Sequence, residues 1–175
     1  AGRGVAEPTA RRVFEQVVAF SEFGFPKSHA AAFGLLAYQS DSREGLWGKA
    51  AAFALANEWD QAFPLYGKAV RLRTGVVSLR CDVARDLIRA GRLDEARMHL
   101  DEARLLEGEN PPAEALRGWL ALAAGQPKEA LEHARQARTW GDWCDLAWIV
   151  EAHALKATGD AAGADQQFDV AVIAR

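Results

Sequence analysis

Four histidines, two cysteines and several paired carboxylates are the side chains in this 175-residue sequence best equipped for chemistry. His29, His99, His133 and His153 stand at no metal-ligand spacing to one another or to a cysteine, so no metal site is expected. Cys81 and Cys144 fall in different parts of the chain, too few for a disulfide framework or a thiolate zinc site, and read as buried thiols. Asp94-Glu95 and Asp101-Glu102 lie close to Arg92, Arg97 and Arg104. Their i,i+3 and i,i+4 spacings on a helix make solvated ion pairs rather than an acid–base couple. The sequence has no phosphate-cradling glycine loop and no local signature of a nucleophile. The expectation is a protein with no catalytic residue and no cofactor: not an enzyme.

The elements that would position any other site are helices. Alanine, the best helix former, supplies 36 residues, and there are only 6 prolines. Hydrophobic residues make up 50% and charged residues 26%, a globular balance. The net charge of -3 argues against nucleic acid as a partner. No apolar run reaches membrane-spanning length, and the start, Ala1-Gly2-Arg3-Gly4, has no secretory h-region, so a cytoplasmic setting is expected. The absence of an initiator Met suggests a fragment or a processed chain. Arg outnumbers Lys 16 to 5, a bias of GC-rich, bacterial coding sequence.

A period of 34 residues organises the rest. Asn57, Gly91, Gly125 and Gly159 recur at that step inside short punctuation segments. Ala62, Ala96, Ala130 and Ala164 follow, then Ala69, Ala103, Ala137 and Ala171. Ala50, Ala84, Gly118 and Ala152 add a third small position. Each unit reads as two helices joined by a turn whose Gly or Asn takes positive φ, with small residues where helices approach closely. Phe53, Leu87, Leu155, Tyr66, Leu100 and Phe168 fill the gaps, and Pro64 is expected to weaken or kink its helix locally. Helix pairs are expected near 43–73, 77–107, 112–140 and 144–174.

On these residues, 43–175 resemble four tetratricopeptide repeats. The fourth carries Trp148, Ala152, Leu155, Gly159, Ala164, Phe168 and Ala171 in the family's places. Where Trp148 stands, the earlier repeats have Leu46, Arg80 and Glu114. The resemblance implies an all-α, right-handed helix–turn–helix solenoid whose first helices line an inner groove. Mapped onto this chain, the groove would show Trp47, Arg85, Ile88, Arg89, Trp119, Leu122, Leu146, Ile149, His153 and Lys156. An apolar floor with basic edges suits an amphipathic or extended acidic peptide, and Trp and Arg are common interface anchors. The end of the array at Phe168, Val172 and Ile173 is expected to be open and to favour self-association.

Residues 1–40 carry no part of the period and hold four Lys/Arg against three Asp/Glu. They read as a helical hairpin, Thr9 to Glu22 and His29 to Gln39, with Ser28 as a cap, covering the first repeat beside Leu46 and Phe53. Val13-Phe14-Glu15-Gln16, followed by Phe23-Gly24-Phe25-Pro26-Lys27-Ser28-His29 and on to Tyr38-Gln39-Ser40, resembles the bacterial C-family DNA polymerase III alpha subunit, in particular its error-prone paralogue. The resemblance places this stretch in the fingers and turns Lys27, Ser28 and His29 toward nucleotide phosphates. It is expected to stop at Ser40, leaving two regions, 1–40 and 41–175. Two functions follow: a non-catalytic scaffold binding a peptide or protein in the groove, or a fragment of an error-prone polymerase system with residual nucleotide or DNA contact.

Overall fold

The computed structural model describes residues 42–173, with the side chains from 168 onward outside that description. The expected N-terminal hairpin, Lys27, Ser28, His29 and the open terminal face at Phe168, Val172 and Ile173 therefore lie outside the described residues or side chains. The described residues form eight helices: α1 (Arg43–Leu55), α2 (Trp59–Leu72), α3 (Val77–Arg89), α4 (Leu93–Leu106), α5 (Pro111–Ala123), α6 (Pro127–Trp140), α7 (Asp145–Thr158) and α8 (Ala161–Ile173). First helices start at 43, 77, 111 and 145, and second helices at 59, 93, 127 and 161, so both series keep the 34-residue step.

The turns show how the sequence enforces this. Asn57, Gly91, Gly125 and Gly159 are the described residues with positive φ, at 59°, 76°, 75° and 95°. Each ends a first helix in a Schellman turn: the N–H groups of Glu58, Arg92, Gln126 and Asp160 donate to the carbonyls of Phe53, Leu87, Ala121 and Leu155 at 2.8–2.9 Å. At the other ends, Ser42 Oγ accepts from the Gly45 N–H at 3.2 Å and Asn110 Oδ1 from the Ala113 N–H at 2.9 Å. Helix α2 runs unbroken through Pro64, which stands in its second turn.

Within each pair the two helices pack together, and α3, α5 and α7 each also touch the first helix before them. Second helices of successive pairs make no such contacts among the described residues. The array therefore curves with its first helices on the inside. Alanines at the repeat positions are sealed: Ala50, Ala62, Ala69, Ala84, Ala96, Ala103, Ala130, Ala137 and Ala152 have no exposed surface. Tyr66, Leu87 and Leu100 fill the larger spaces. Among the described residues no helix is long and apolar enough to cross a membrane.

The first-helix position that holds Trp148 in the last pair holds two buried charges upstream, and each finds a partner. Arg80 donates from Nε to the Thr74 carbonyl at 3.1 Å and pairs with Glu102. Glu114 accepts from His133 Nδ1 at 2.8 Å. Trp148 donates from Nε1 to the Asp142 carbonyl at 2.8 Å, and the Arg138 guanidinium lies 3.3 Å from its ring centroid. Of the carboxylate pairs on α4, Glu95 meets Arg92 at 2.6 Å, while Asp101 meets Arg117 of α5 at 2.7 Å.

Candidate functional site

Steps of 34 residues turn the inner face into a small lattice. Arg85, Trp119 and His153 share one row on α3, α5 and α7, and Ile88, Leu122 and Lys156 share the next. The C-terminal half of this lattice is apolar and open. Trp119, Leu122 and Ala123 of α5 and Leu146, Ile149, Val150 and His153 of α7 enclose a cavity of about 570 Å³. Trp119, Leu122, Leu146 and Ile149 are half-buried, and Trp119, Leu122 and Leu146 also pack against the core. The approach of α5 to α7 that creates this floor depends on Gly118. A Cβ there would stand 2.8 Å from Val150 Cγ1 and 3.1 Å from the Ala130 carbonyl oxygen.

The N-terminal half is different, and it corrects the expected groove. Trp47 donates from Nε1 to Asp82 Oδ2 at 2.9 Å and packs against the core. Arg85 spends its guanidinium on two aspartates, with Nη1 2.7 Å from Asp82 Oδ1 and Nε 3.3 Å from Asp86 Oδ1. Arg89 meets Asp86 Oδ1 at 3.1 Å and Asn57 Oδ1 at 3.3 Å, and its guanidinium lies 5.3 Å from the Trp59 ring. These arginines are structural ties rather than open cations. Ile88 is not exposed: it is 6% accessible and belongs to the core against which Trp119 packs. Its counterpart Lys156 is exposed because α7 has no further first helix beside it among the described residues.

Asp82 and Asp86 are the residues that sequence reasoning missed. Asp86 is 1% exposed and also accepts from the Tyr66 hydroxyl at 2.7 Å. Burial, reinforced by that carboxylate, pushes the Tyr66 pKa up. The signal was present: Asp82, Arg85, Asp86 and Arg89 alternate at helical i,i+3 spacing. Glu151, 3% exposed on an otherwise apolar stretch of α7, was missed in the same way and meets Arg135 Nε at 3.0 Å and Arg138.

A second recess of about 620 Å³ lies between the inter-pair loops and is lined by Arg43, Arg73, Cys81, Asp82, Glu107 and neighbouring residues. Its charges balance. Burial, with Asp82 beside it, pushes the Cys81 thiol up to about 11, and burial also raises Cys144. Neither thiol is poised as a nucleophile at neutral pH.

Set beside solved structures, this architecture has clear counterparts. A thermophilic tetratricopeptide protein of Thermus thermophilus superposes with a TM-score of 0.70 at 16% identity, covering 93% of this chain and 89% of that one. The fold is the tetratricopeptide-repeat fold. The Cut9–Hcn1 hetero-tetramer of the APC/C gives a TM-score of 0.67 at 19% identity, over 94% of this chain and 31% of that chain. PilF of Pseudomonas aeruginosa gives 0.66 at 17%, over 94% and 76%. No protein-family model matches the chain.

In sequence, the chain is similar to proteins named error-prone DNA polymerase. It is 34% identical to that of Pseudomonas paraeruginosa over 140 residues, 78% of this chain and 12% of that protein. It is 32% identical to that of a Pseudomonas fluorescens strain over 149 residues, 82% of this chain and 14% of that protein. The chain thus spans about one-eighth to one-seventh of the length of these relatives. Alignments this long cannot fit within residues 1–40, so the likeness to the polymerases runs on into the helix pairs and does not stop at Ser40 as expected.

Proposed function

We propose that this chain is a non-catalytic protein-interaction scaffold that binds a peptide or protein segment on its inner face. One observation carries the reading: the half-buried Trp119, Leu122, Leu146 and Ile149 converge with His153 on one open cavity of about 570 Å³. Concave apolar sites with few polar groups are where ligands gain most from leaving water. An array of similar fold occurs in a complex in Cut9–Hcn1, which supports a protein partner here. A cytoplasmic setting and self-association through the last helix pair belong to the same proposal. Peptide display on the immobilised chain tests it. Selected peptides should lose about tenfold or more in affinity when Trp119 becomes Ala, the cut expected for a buried aromatic anchor. Undiminished binding moves the site elsewhere.

The second reading, a piece of an error-prone polymerase with residual nucleotide or DNA contact, is favoured by the polymerase-named relatives that align with most of the chain. In that reading Lys27, Ser28 and His29 meet phosphates. With four Lys/Arg against three Asp/Glu in residues 1–40, phosphate neutralisation is slight and DNA binding should be weak. Titrating labelled primer–template with nucleotide and magnesium at low salt decides between the readings. Saturable micromolar binding that vanishes in Lys27→Ala or His29→Ala favours the polymerase reading.

A further inference from the structure

Trp143 leaves 67% of its surface in water and is not among the residues that line the inner cavity. It stands in the loop between α6 and α7, and that loop is tied down on both sides of it. The Cys144 N–H donates to the Gly141 carbonyl at 3.3 Å, the Asp142 carbonyl accepts from Trp148 Nε1 at 2.8 Å, and Cys144 is buried. Gly141 is the shelf on which the indole rests. A Cβ there would stand 2.6 Å from Trp143 Nε1 and 2.9 Å from Pro111 Cγ. The ring is thus seated beside the start of α5, with most of its surface open. An indole held this way loses little freedom when a partner covers it, and Trp is the side chain that most often anchors an interface.

The surroundings fix the sign of what can cover it. Segments 107–110 and 141–145 come together where Pro111 meets Gly141, and they hold Glu107, Glu109, Asp142 and Asp145 but no Lys or Arg. All four carboxylates are exposed, and none has an ion-pair partner among the described residues. Other rings of this chain are covered by guanidinium groups: Arg138 lies 3.3 Å from the Trp148 centroid, Arg92 4.4 Å from that of Phe63 and Arg89 5.3 Å from that of Trp59. No cation of the described residues stands over Trp143. We propose that this loop edge is a docking surface for a partner protein segment that presents an arginine. Its guanidinium lies on the Trp143 ring and its N–H groups donate to the carboxylates of Asp142 and Glu109. A planar guanidinium stacks with its face and donates from its edge at the same time, which a compact ammonium group does not. The surface lies on the loop edge and not on the inner face, so it is a second contact, independent of the cavity between α5 and α7.

The test follows the indole and backbone N–H resonances of the full chain by NMR during titration with a blocked peptide of Gly and Ser carrying one arginine. The Trp143 indole and the Glu109 and Asp142 amides should shift saturably and together. The same peptide with citrulline, which keeps the shape and loses the charge, should bind about fivefold more weakly or worse, and salt should weaken the arginine peptide. Trp143→Ala should cost about two- to fivefold, the scale of an exposed cation–π contact, read from the Glu109 and Asp142 amides. Asp142→Asn combined with Glu109→Gln should lower both the affinity and its salt dependence. These side chains are exposed, and the Asp142 carbonyl that holds Trp148 is untouched, so circular dichroism should show the variants folded. Trp119→Ala should leave this binding unchanged, which separates it from the inner-face reading. Equal binding of the arginine and citrulline peptides, or no binding at all, overturns the proposal. If the Trp119 indole responds while that of Trp143 stays silent, the scaffold reading stands and this inference falls. If the Trp143 indole shifts with protein concentration alone, and Trp143→Ala abolishes that self-association, the occupant is a second copy and the proposal is overturned.

Discussion

The joint between the first and second helix pairs and the joint between the third and fourth obey one 34-residue grammar, yet they are held in different ways. At the C-terminal joint, α7 is embraced by both α5 and α6. The contact is built from small residues, with Gly118 against Val150 and Ala130, Ala134, Ala147 and Ala154 sealed, and one buried carboxylate, Glu151, is tied to Arg135 and Arg138 of α6. At the N-terminal joint, α1 and α2 touch α3 sparingly. The ties there are polar, with Trp47 on Asp82, Tyr66 on Asp86 and Arg89 on Asn57. A repeat period fixes where helices start and turn; side-chain size at the contact fixes how closely they seat. At the C-terminal joint the ion pairs of Glu151 lie outside the cavity lining and leave an apolar inner floor, whereas the charges of the N-terminal joint stand among the inner-face positions themselves. That is why the cavity lies between α5 and α7.

Substitutions can break each joint separately. The largest effect should come from Asp86→Ala, which strips Tyr66, Arg85 and Arg89 of a shared buried acceptor; a loss of about 3 kcal/mol is expected. Hydrogen exchange should show α1 and α2 loosening first while α5 to α7 keep their protection. Uniform loosening would contradict two distinct joints. Gly118→Ala comes next, because its Cβ would collide with Val150 and with backbone, at a cost of roughly 1–3 kcal/mol in a denaturant titration. Ala130→Leu at the same contact should fall in the same range, and an unchanged midpoint would refute the packing drawn here. Tyr66→Phe removes one hydrogen bond from the polar joint, about 1 kcal/mol, and should add little to Asp86→Ala in a double-mutant cycle.

The smallest effect is a pH dependence. Burial, with Arg80 nearby, holds His99 below its ordinary pKa of 6.5, against a weaker pull from Glu95. The unfolded chain therefore takes up this proton more readily than the folded one. Stability from His99 is present above pH 6.5 and is lost as pH falls from there toward the lower folded value. His99→Leu should flatten the melting temperature across that window. A wild-type profile matching the variant's would remove His99 from the account.

Much of this was legible in the sequence, for reasons that particular residues make plain. Asn57 and the three turn glycines announce the helix ends because few other residues accept positive φ. The repeat alanines announce the contacts because only small side chains fit there. Trp119, Leu122, Leu146, Ile149 and His153 could be placed on one face from register together with the tetratricopeptide resemblance. Register says nothing, however, about what the neighbouring helix brings. Ile88 shares a row with Leu122 and Lys156 but is covered by core packing. Arg85 and Arg89 look like open cations until Asp82 and Asp86 are seen to hold them. The polymerase likeness was legible in residues 1–40, while its continuation into the helix pairs was not.

The proposed docking surface is the inner face between α5 and α7. Methyl-labelled protein with indole detection tests it during titration with a display-selected peptide. Saturable, concerted shifts are expected at Leu122, Leu146, Ile149 and the Trp119 indole, with the buried methyls of Leu87 and Leu100 unmoved. Shifts confined to the exposed Leu55, Leu72 or Leu105, with the cavity residues silent, would contradict it.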